Sequence, residues 1–292
     1  MIAWLIYYRE SAEYNKRYIQ FYREEGVKLG IDVKLLLVEE LEFGVRNNHW
    51  FITHQKEKLD MPDFAICRAI YPLLSRQLER MGIPVFNNSM VSEICNDKAR
   101  TCQYLAKTGI AMVDTSFFQK EQLGEVLSQV HAPTVIKAVD GHGGSQVFLT
   151  SGEAAADGNE LQRIVEGMKG SDAVVQPLTG SRHQDLRVYV IGKEIIAAVL
   201  RTAREGFKSN FSLGGEVSLY RLSQKETDLV NRIIAEFDFG LVGIDFIIGD
   251  SGELIFNEIE DVVGSRMLYQ CADINIVERY LKYIMKRVLA SG

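Results

Sequence analysis

The sequence predicts an α/β protein in which a small open α/β domain precedes a larger part of mixed, α+β character. Three observations carry that prediction. The chain begins with an apolar run at 2–7, a helical stretch at 14–29 ended by Gly30, and a second apolar run at 33–38. Strand, helix, strand is the opening of a parallel α/β unit. The second half holds apolar runs paired across short glycine turns: 185–191 with 194–200 around Gly192-Lys193, and 243–248 with 254–260 around Gly249-Asp250-Ser251-Gly252. These read as antiparallel hairpins. At 292 residues the chain exceeds one small core and implies two or three subdomains, placed at 1–92, 93–178 and 179–292.

The first 92 residues supply the open sheet. The helix at 14–29 offers Ile19, Phe21, Tyr22 and Val27 to a core, and a third strand at 64–67 runs into Arg68. A short helix at 73–81 and a fourth strand at 83–88 complete the unit. Ligands of such sheets bind beyond the carboxyl ends of the strands. That rule places Tyr7, Tyr8, Arg68, Asn87 and Asn88 at a substrate mouth, although each equally suits a surface or capping role.

Asn96-Asp97-Lys98 then caps a helix that runs to Lys107 and stops at Gly109. Strands at 113–118 and 134–138 lead to the loop Asp140-Gly141-His142-Gly143-Gly144-Ser145 and a further strand at 146–149. A glycine-rich loop between strands exposes backbone N–H groups that can wrap a phosphate, and a plain turn is the alternative. Its spacing fits neither GxGxxG nor GxxxxGK[ST], which excludes the Rossmann and P-loop readings. A strand at 173–178 meets Pro177, a natural hinge. Beyond the first hairpin come Arg201 and the segment Gly206-Phe207-Lys208-Ser209-Asn210. Ser223 and Glu226 form a capping box for a helix to Phe237. Arg266 precedes a last helix from about Asp273, with Val277, Leu281, Ile284 and Val288 inward.

The hairpin at 243–260 carries most of the chemistry. A turn centred on Asp250-Ser251 sets Ile248 opposite Glu253 and Asp245 opposite Phe256. Phe256, Glu258 and Glu260 then share a face with Asp245. Three carboxylates inside segments apolar enough to be buried repel one another and lose hydration. A hard divalent cation resolves that conflict; acids that simply face water are the alternative.

Composition narrows the function classes. Hydrophobic residues at 47% and charged residues at 25% are ordinary globular values. A net charge of −6 argues against devotion to nucleic acid or an anionic membrane, and leaves room for a local basic pocket. The cysteines Cys67, Cys95, Cys102 and Cys271 lack CxxC spacing, so they read as free thiols. Residues 1–6 are apolar without a basic leader or cleavage site, so they read as a strand and not a signal peptide. No run approaches the ~18 apolar residues of a membrane span. The expected location is cytoplasmic, with neither a nucleic-acid nor a membrane partner.

With these pieces in order, residues 85–270 resemble the ATP-grasp superfamily, in particular the ribosomal-protein S6 glutamate ligase branch and bacterial glutathione synthetase. The resemblance rests on Asn96-Asp97-Lys98, Val135-Ile136-Lys137, the loop from Asp140 to Ser145, Asp185-Leu186-Arg187-Val188, Phe207-Lys208-Ser209-Asn210, Gly243-Ile244-Asp245 and Asn257-Glu258-Ile259-Glu260. It implies an ATP-grasp fold behind a small pre-ATP-grasp domain. Lys98 and Lys137 fall at the phosphate-contacting lysines, and Gly141, His142, Gly143, Gly144 and Ser145 at the loop over the phosphates. Gln176 and Leu178 match the strand whose backbone reads adenine, and Asp185 a carboxylate near the ribose. Arg187, Arg201 and Asn210 match groups around the acyl substrate and the transferred phosphoryl. Asp245, Glu258 and Glu260 match the metal ligands, and Arg68, Asn88 and Arg266 are candidates for substrate contact. Two departures stand out: Glu260 where the family usually has Asn, and Asp261-Val262-Val263-Gly264 where it commonly has a Pro-Gly turn.

The activity so implied is an ADP-forming carboxylate–amine ligase working through an acylphosphate on amino-acid or peptide substrates. ATP and Mg²⁺ are the expected cofactors, with two ions and Mn²⁺ as the substitute metal. A nucleotide-binding module without turnover and an ATP-grasp small-molecule kinase are the alternatives. Leu73, Leu78 and Ile276 are candidates for a homodimer or homotetramer contact, or for core.

Overall fold

Strand β1 (Ile2–Tyr7) is buried from Ala3 onward and lies inside the first sheet. The computed structural model describes residues 1–144, 146–152, 158–181, 184–202 and 216–291. Helices α1 (Arg9–Tyr14) and α2 (Lys16–Lys28) follow, and β2 (Asp32–Leu37) returns parallel to β1. The helix expected at 14–29 is α2, and the short α1 before it, separated at Asn15, was not anticipated. Ile19 and Tyr22 are buried as anticipated, but Val27 is 78% exposed. The cause is Gly26: a Cβ there would sit 2.7 Å from Val33 Cγ2 and 2.9 Å from Ile31 O. The face of Gly26 thus presses on β2, and Val27, about 100° further round, turns to water.

A small antiparallel sheet, β3 (Leu41–Arg46), β4 (His49–His54) and β5 (Glu57–Lys58), was not anticipated. Leu41, Phe43 and Val45 do alternate with Glu42, Gly44 and Arg46, the period of a strand, but β4 has no such alternation. A signal was nonetheless present in Asn47-Asn48, whose φ values of 51° and 61° suit a two-residue hairpin turn. Strand β6 (Phe64–Cys67), helix α3 (Pro72–Arg80) and the two-residue β7 (Val85–Phe86) complete a parallel sheet ordered β2-β1-β6-β7. The strand expected at 83–88 is shorter because Asn88 already caps α4 (Ser89–Cys95), accepting from Val91 N at 2.9 Å. Asp97 caps α5 (Lys98–Leu105) in the same way.

The second sheet is antiparallel, ordered β10-β9-β11-β8. It comprises β8 (Ser116–Phe118), β9 (Thr134–Ala138), β10 (Val147–Thr150) and β11 (Ala173–Pro177). Helices α6 (Leu123–Ser128) and α7 (Gly158–Gly167) share a core with it through Leu127, Ile136 and Ile164. The third sheet is β14-β13-β12-β15-β16, from β12 (Gln184–Ile191), β13 (Glu194–Thr202), β14 (Glu216–Tyr220), β15 (Leu241–Ile248) and β16 (Leu254–Glu260). Helix α8 (Gln224–Glu236) packs on one face against Val188, Val190 and Phe246. Helices α9 (Arg266–Cys271) and α10 (Ile276–Ser291) lie toward the other face.

That other face is shared with the first sheet. Tyr189, Ile191 and Leu241 of the third sheet join Leu5, Tyr7, Ile19 and Tyr22 in one core, which α10 closes with Val277, Leu281 and Ile284. Ile276 belongs to this core and Leu78 to the separate core around Trp4 and Ile6, whereas Leu73 is exposed. Asn87 clamps the two units: its amide donates to Leu241 O at 2.9 Å and to Asp261, and its Oδ1 accepts from Gly240 N at 2.5 Å. No helix among the described residues is long and apolar enough to cross a membrane.

Replacing Asn87 by Ala leaves buried backbone groups unpaired at that junction. The expected loss is about 2–4 kcal/mol, read in urea titrations as a lower midpoint with an unchanged slope.

Candidate active site

The charged residues gather at one end of the third sheet because side chains alternate. Along β12, Asp185 and Arg187 share a face with Tyr189 and Ile191, so one face runs from charged to apolar. Across the strands, Asp185 pairs with Arg201 on β13, and Arg187 with Asp245 on β15. Arg187 Nε and Nη2 donate to the two oxygens of Asp245 at 2.7 and 2.6 Å. Its Nη1 lies 2.5 Å from Glu260. Arg201 Nη2 donates to Asp245 Oδ2 at 2.8 Å, and its Nε is paired with Asp185.

A β-bulge brings Glu258 and Glu260 into this group. Phe246 pairs with Phe256, but Asp245 pairs with Glu258, which leaves Asn257 as the extra residue. Without the bulge Asp245 would face Asn257, and Glu258 would join Ile244 on the apolar side. The turn itself is one residue off the expected register, since Ile248 faces Leu254. The expected sharing of a face by Asp245, Glu258 and Glu260 is found, but Phe256 lies on the opposite side, stacked edge-on with Phe246. Asn257 was overlooked as a site residue; its Oδ1 accepts from Lys137 Nζ at 2.7 Å.

Two pockets meet at this cluster. One lies between the second and third sheets and is lined by Lys98, Lys137, Gln176, Leu178, Asp185, Asn257 and Glu258, with Gly141, Gly143 and Gly144 over them. Lys98 donates to Gly141 O at 2.5 Å and lies 3.2 Å from Glu258. Gln176 donates to Thr115 Oγ1, and the Leu178 amide is engaged with Pro133 O at 3.0 Å. Gly143 and Gly144 have φ of +63° and +74°, which only glycine adopts readily. His142 is exposed and is not among the residues lining the pocket. Ser145 and Asn210 lie outside the described residues.

The second pocket is a cleft of about 960 Å³ between α2 and the third sheet. Arg187, Arg201, Glu260, Arg68, Arg266 and Gly143 line it. Arg266 stacks on Tyr14 at 4.2 Å. Of the residues expected at the substrate mouth, Tyr7 and Arg68 line the cleft. Tyr8 instead donates to Ile70 O, Asn87 is the buried clamp, and Asn88 is a helix cap that also donates to Asp238 O.

Burial and charge compete throughout. Burial alone would push the Asp245 carboxyl up, but Arg187 and Arg201 hold it below the usual carboxylate range. Burial would raise Glu258 most strongly, but Lys98, Lys137 and Arg187 together hold it lowered, whereas burial keeps Glu260 raised despite Arg187. The side chains of Glu258 and Glu260 stay 30% and 29% exposed, so water screens them more than Asp245. Burial brings Lys137 down to about 8, against the pull of Glu258. Among the described residues no group of three or more acidic, histidine or cysteine side chains is arranged to hold a metal. The guanidinium groups of Arg187 and Arg201 occupy Asp245 instead.

The description "RimK-like ATP-grasp domain" matches residues 95–284, more than half of the chain. The chain belongs to the RimK-like ATP-grasp family. These proteins are carboxylate–amine ligases that use ATP and Mg²⁺. The probable alpha-L-glutamate ligase 1 of Shewanella oneidensis is 30% identical over 218 residues, 74% of this chain and 71% of that protein. A RimK domain ATP-grasp protein of Sphaerobacter thermophilus superposes with a TM-score of 0.69 at 16% identity, over 98% of this chain and 100% of that one. The ATP-grasp ligase PsnB, solved with a precursor variant, Mg and ADP, gives 0.69 at 16% identity over 98% of both chains. These structures share the fold across the whole RimK-like chain, including its first 92 residues.

Two outcomes follow from the electrostatics. Asp245→Asn leaves Arg187 and Arg201 buried without their shared carboxylate, and should cost about 3–5 kcal/mol in chemical denaturation even without nucleotide. Lys137 in the free protein loses its proton as pH rises through about 8, whereas a bound phosphate favours the ammonium. ATP affinity should therefore fall above pH 8, and binding there should take up a proton. Calorimetry in buffers of different ionisation enthalpy reads that uptake, and Lys137→Arg should abolish it.

Proposed function

We propose that this RimK-like protein joins a carboxylate to an amine through an acylphosphate, releasing ADP and phosphate. One observation carries the reading. A lysine-lined pocket and a wide arginine-lined cleft meet at a single cluster of carboxylates and guanidiniums, with Gly143 lining both. A phosphoryl group passing from one pocket to the other would cross that cluster. Such transfer needs positioning and charge neutralisation, not a protein nucleophile.

In this reading Lys98 and Lys137 hold the phosphates of ATP, the 141–145 loop covers them, and Gln176, Leu178 and Asp185 border the nucleoside. The substrate carboxylate in the cleft attacks the γ-phosphorus, the bond to the β-phosphate oxygen breaks, and ADP leaves. The amine then attacks the acyl carbon, inorganic phosphate departs, and the amine proton goes to solvent. Arg187 and Arg201, with Asn210 assigned the same neighbourhood, neutralise the acylphosphate. Excluding water by closing the loop protects it from hydrolysis.

The acids suit a hard cation by their chemistry, since carboxylate oxygens are its preferred donors. Glu258 and Glu260, the more open pair, would hold Mg²⁺ or Mn²⁺, and Asp245 would contribute after yielding an arginine contact. Such an ion, two of them in the fullest form of this reading, would neutralise phosphate oxygens. The acid and the amine are amino acids or short peptides in this reading, as the glutamate ligase named among the relatives suggests.

Product analysis with pooled carboxylates and amines tests it. Amine-dependent ADP and phosphate, with Arg201→Ala slowed roughly 10²–10³-fold in kcat, is the expected result. A stable phosphorylated product without amide would assign a kinase. ATP binding without turnover would assign a nucleotide-binding module, and AMP would refute the acylphosphate route.

A further inference from the structure

The cleft contains a cation that the phosphoryl-transfer cluster does not use. Arg68 follows directly on β6, is only 8% exposed, and lines the cleft. A buried guanidinium is costly unless an anion compensates its lost hydration. Arg187 and Arg201 are compensated by Asp245, Glu260 and Asp185. Arg68 differs: apart from the Tyr7 phenol beside it, its guanidinium has one well-formed hydrogen bond, from Nη2 to Val263 O at 3.0 Å, and Nε has no such partner among the described residues. Asp261, whose carboxyl senses Arg68, is already engaged by Asn87 and Asn96.

What surrounds Arg68 is phenolic. The Tyr18 ring centre lies 5.2 Å from its guanidinium carbon. Tyr7, 1% exposed and also lining the cleft, sets its hydroxyl beside the Arg68 side chain without a well-formed hydrogen bond to any described residue. Phenols solvate a cation weakly and do not cancel its charge. A carboxylate or phosphate would do so, accepting from both groups.

Arg68 is also close to the reacting end. Val263, whose carbonyl receives Arg68, packs its side chain over Gly243 beside Arg187. A Cβ on Gly243 would sit 2.7 Å from Val263 Cγ2 and 3.3 Å from Arg187 Cδ. One residue therefore separates the compensated arginine from the uncompensated one. At about 960 Å³ the cleft has room for a molecule that spans both.

We propose that Arg68 and the Tyr7 hydroxyl form a receptor for a second anionic group on the acid substrate. The molecule activated beside Arg187 and Arg201 is then at least a dianion, not a simple monocarboxylate. This assignment rests on the ligase reading for the reacting carboxylate, but its anion site can be tested by binding alone.

The test uses the full chain and two matched pairs in calorimetry: L-glutamate against L-norvaline, and O-phosphoserine against serine. The first member of each pair carries the extra anion. Wild type should prefer it by about tenfold or more in at least one pair, glutamate pointing to a carboxylate and O-phosphoserine to a phosphate. Arg68→Gln should bring that ligand to the level of its neutral counterpart while leaving norvaline, serine and ATP binding unchanged. Arg68→Lys should restore part of the preference, and Tyr7→Phe should reduce it several-fold. These two variants carry the test if the glutamine variant does not fold. No preference in wild type, a preference that survives Arg68→Gln, or an equal loss for charged and neutral ligands would overturn the proposal. Amine-dependent ADP release is measured separately. Its absence, with the Arg68-dependent preference intact, would sink the ligase reading and leave the anion site standing. Equal turnover of mono- and dicarboxylates would do the reverse.

Discussion

Asp245 shared between two arginines is the interaction on which the rest of the site depends. Each of the three charges is almost fully buried, with side-chain exposures of 7%, 4% and 2% for Arg187, Arg201 and Asp245. Each of these charges would be costly to bury there alone. The pairing therefore fixes how β12, β13 and β15 align, because a one-residue slip would drive these charges into the apolar face under α8. Register in most sheets is set by what must be buried dry. Here it is set equally by which charges must meet.

From that anchor the neighbouring strand acquires its division of labour. The bulge at Asn257 lets β16 keep Phe256 in the core and still present Glu258 and Glu260 beside Asp245. It also aims Asn257 at Lys137. One strand then borders both pockets: Asn257 and Glu258 face the lysine-lined one, and Glu260 the wide cleft. Asp185 and Arg201 repeat the arrangement from β12 and β13, with the acid lining one pocket and the arginine the other. An ion-pair chain from Asp185 through Arg201, Asp245 and Arg187 to Glu260 connects them.

Much of this was legible in the sequence because it obeys short-range rules. The parallel start, both hairpins and the Ser223–Glu226 capping box follow from period and turn chemistry, and Lys98, Lys137, Arg187 and the three acids fell near one another as expected. What was not legible depends on contacts between distant residues. Asn87 has an ordinary local context, and only Gly240, Leu241 and Asp261 reveal it as a clamp. Val27 has the right spacing for a core, and only the close approach of Gly26 to β2 turns it outward. The acids suggested a metal because no sequence rule announces that Arg187 and Arg201 will cross strands to meet them. The bulge escaped for a similar reason, since both a regular and a bulged pairing satisfy the alternation of β16 alone.

The charge balance of the cluster bears on how a nucleotide enters it. Asp185, Asp245, Glu258 and Glu260 stand against Arg187, Arg201, Lys98 and Lys137, so the cluster by itself has little surplus charge of either sign. Lys137 even tends toward neutrality near pH 8. In the proposed reaction a polyphosphate and a carboxylate would together bring several negative charges into this low-dielectric space, where uncompensated ions are expensive. The arginines can meet them only by leaving their own acids, which then require another cation. A divalent ion bound with ATP would meet both needs, since it would compensate the phosphates and the released carboxylates in one place.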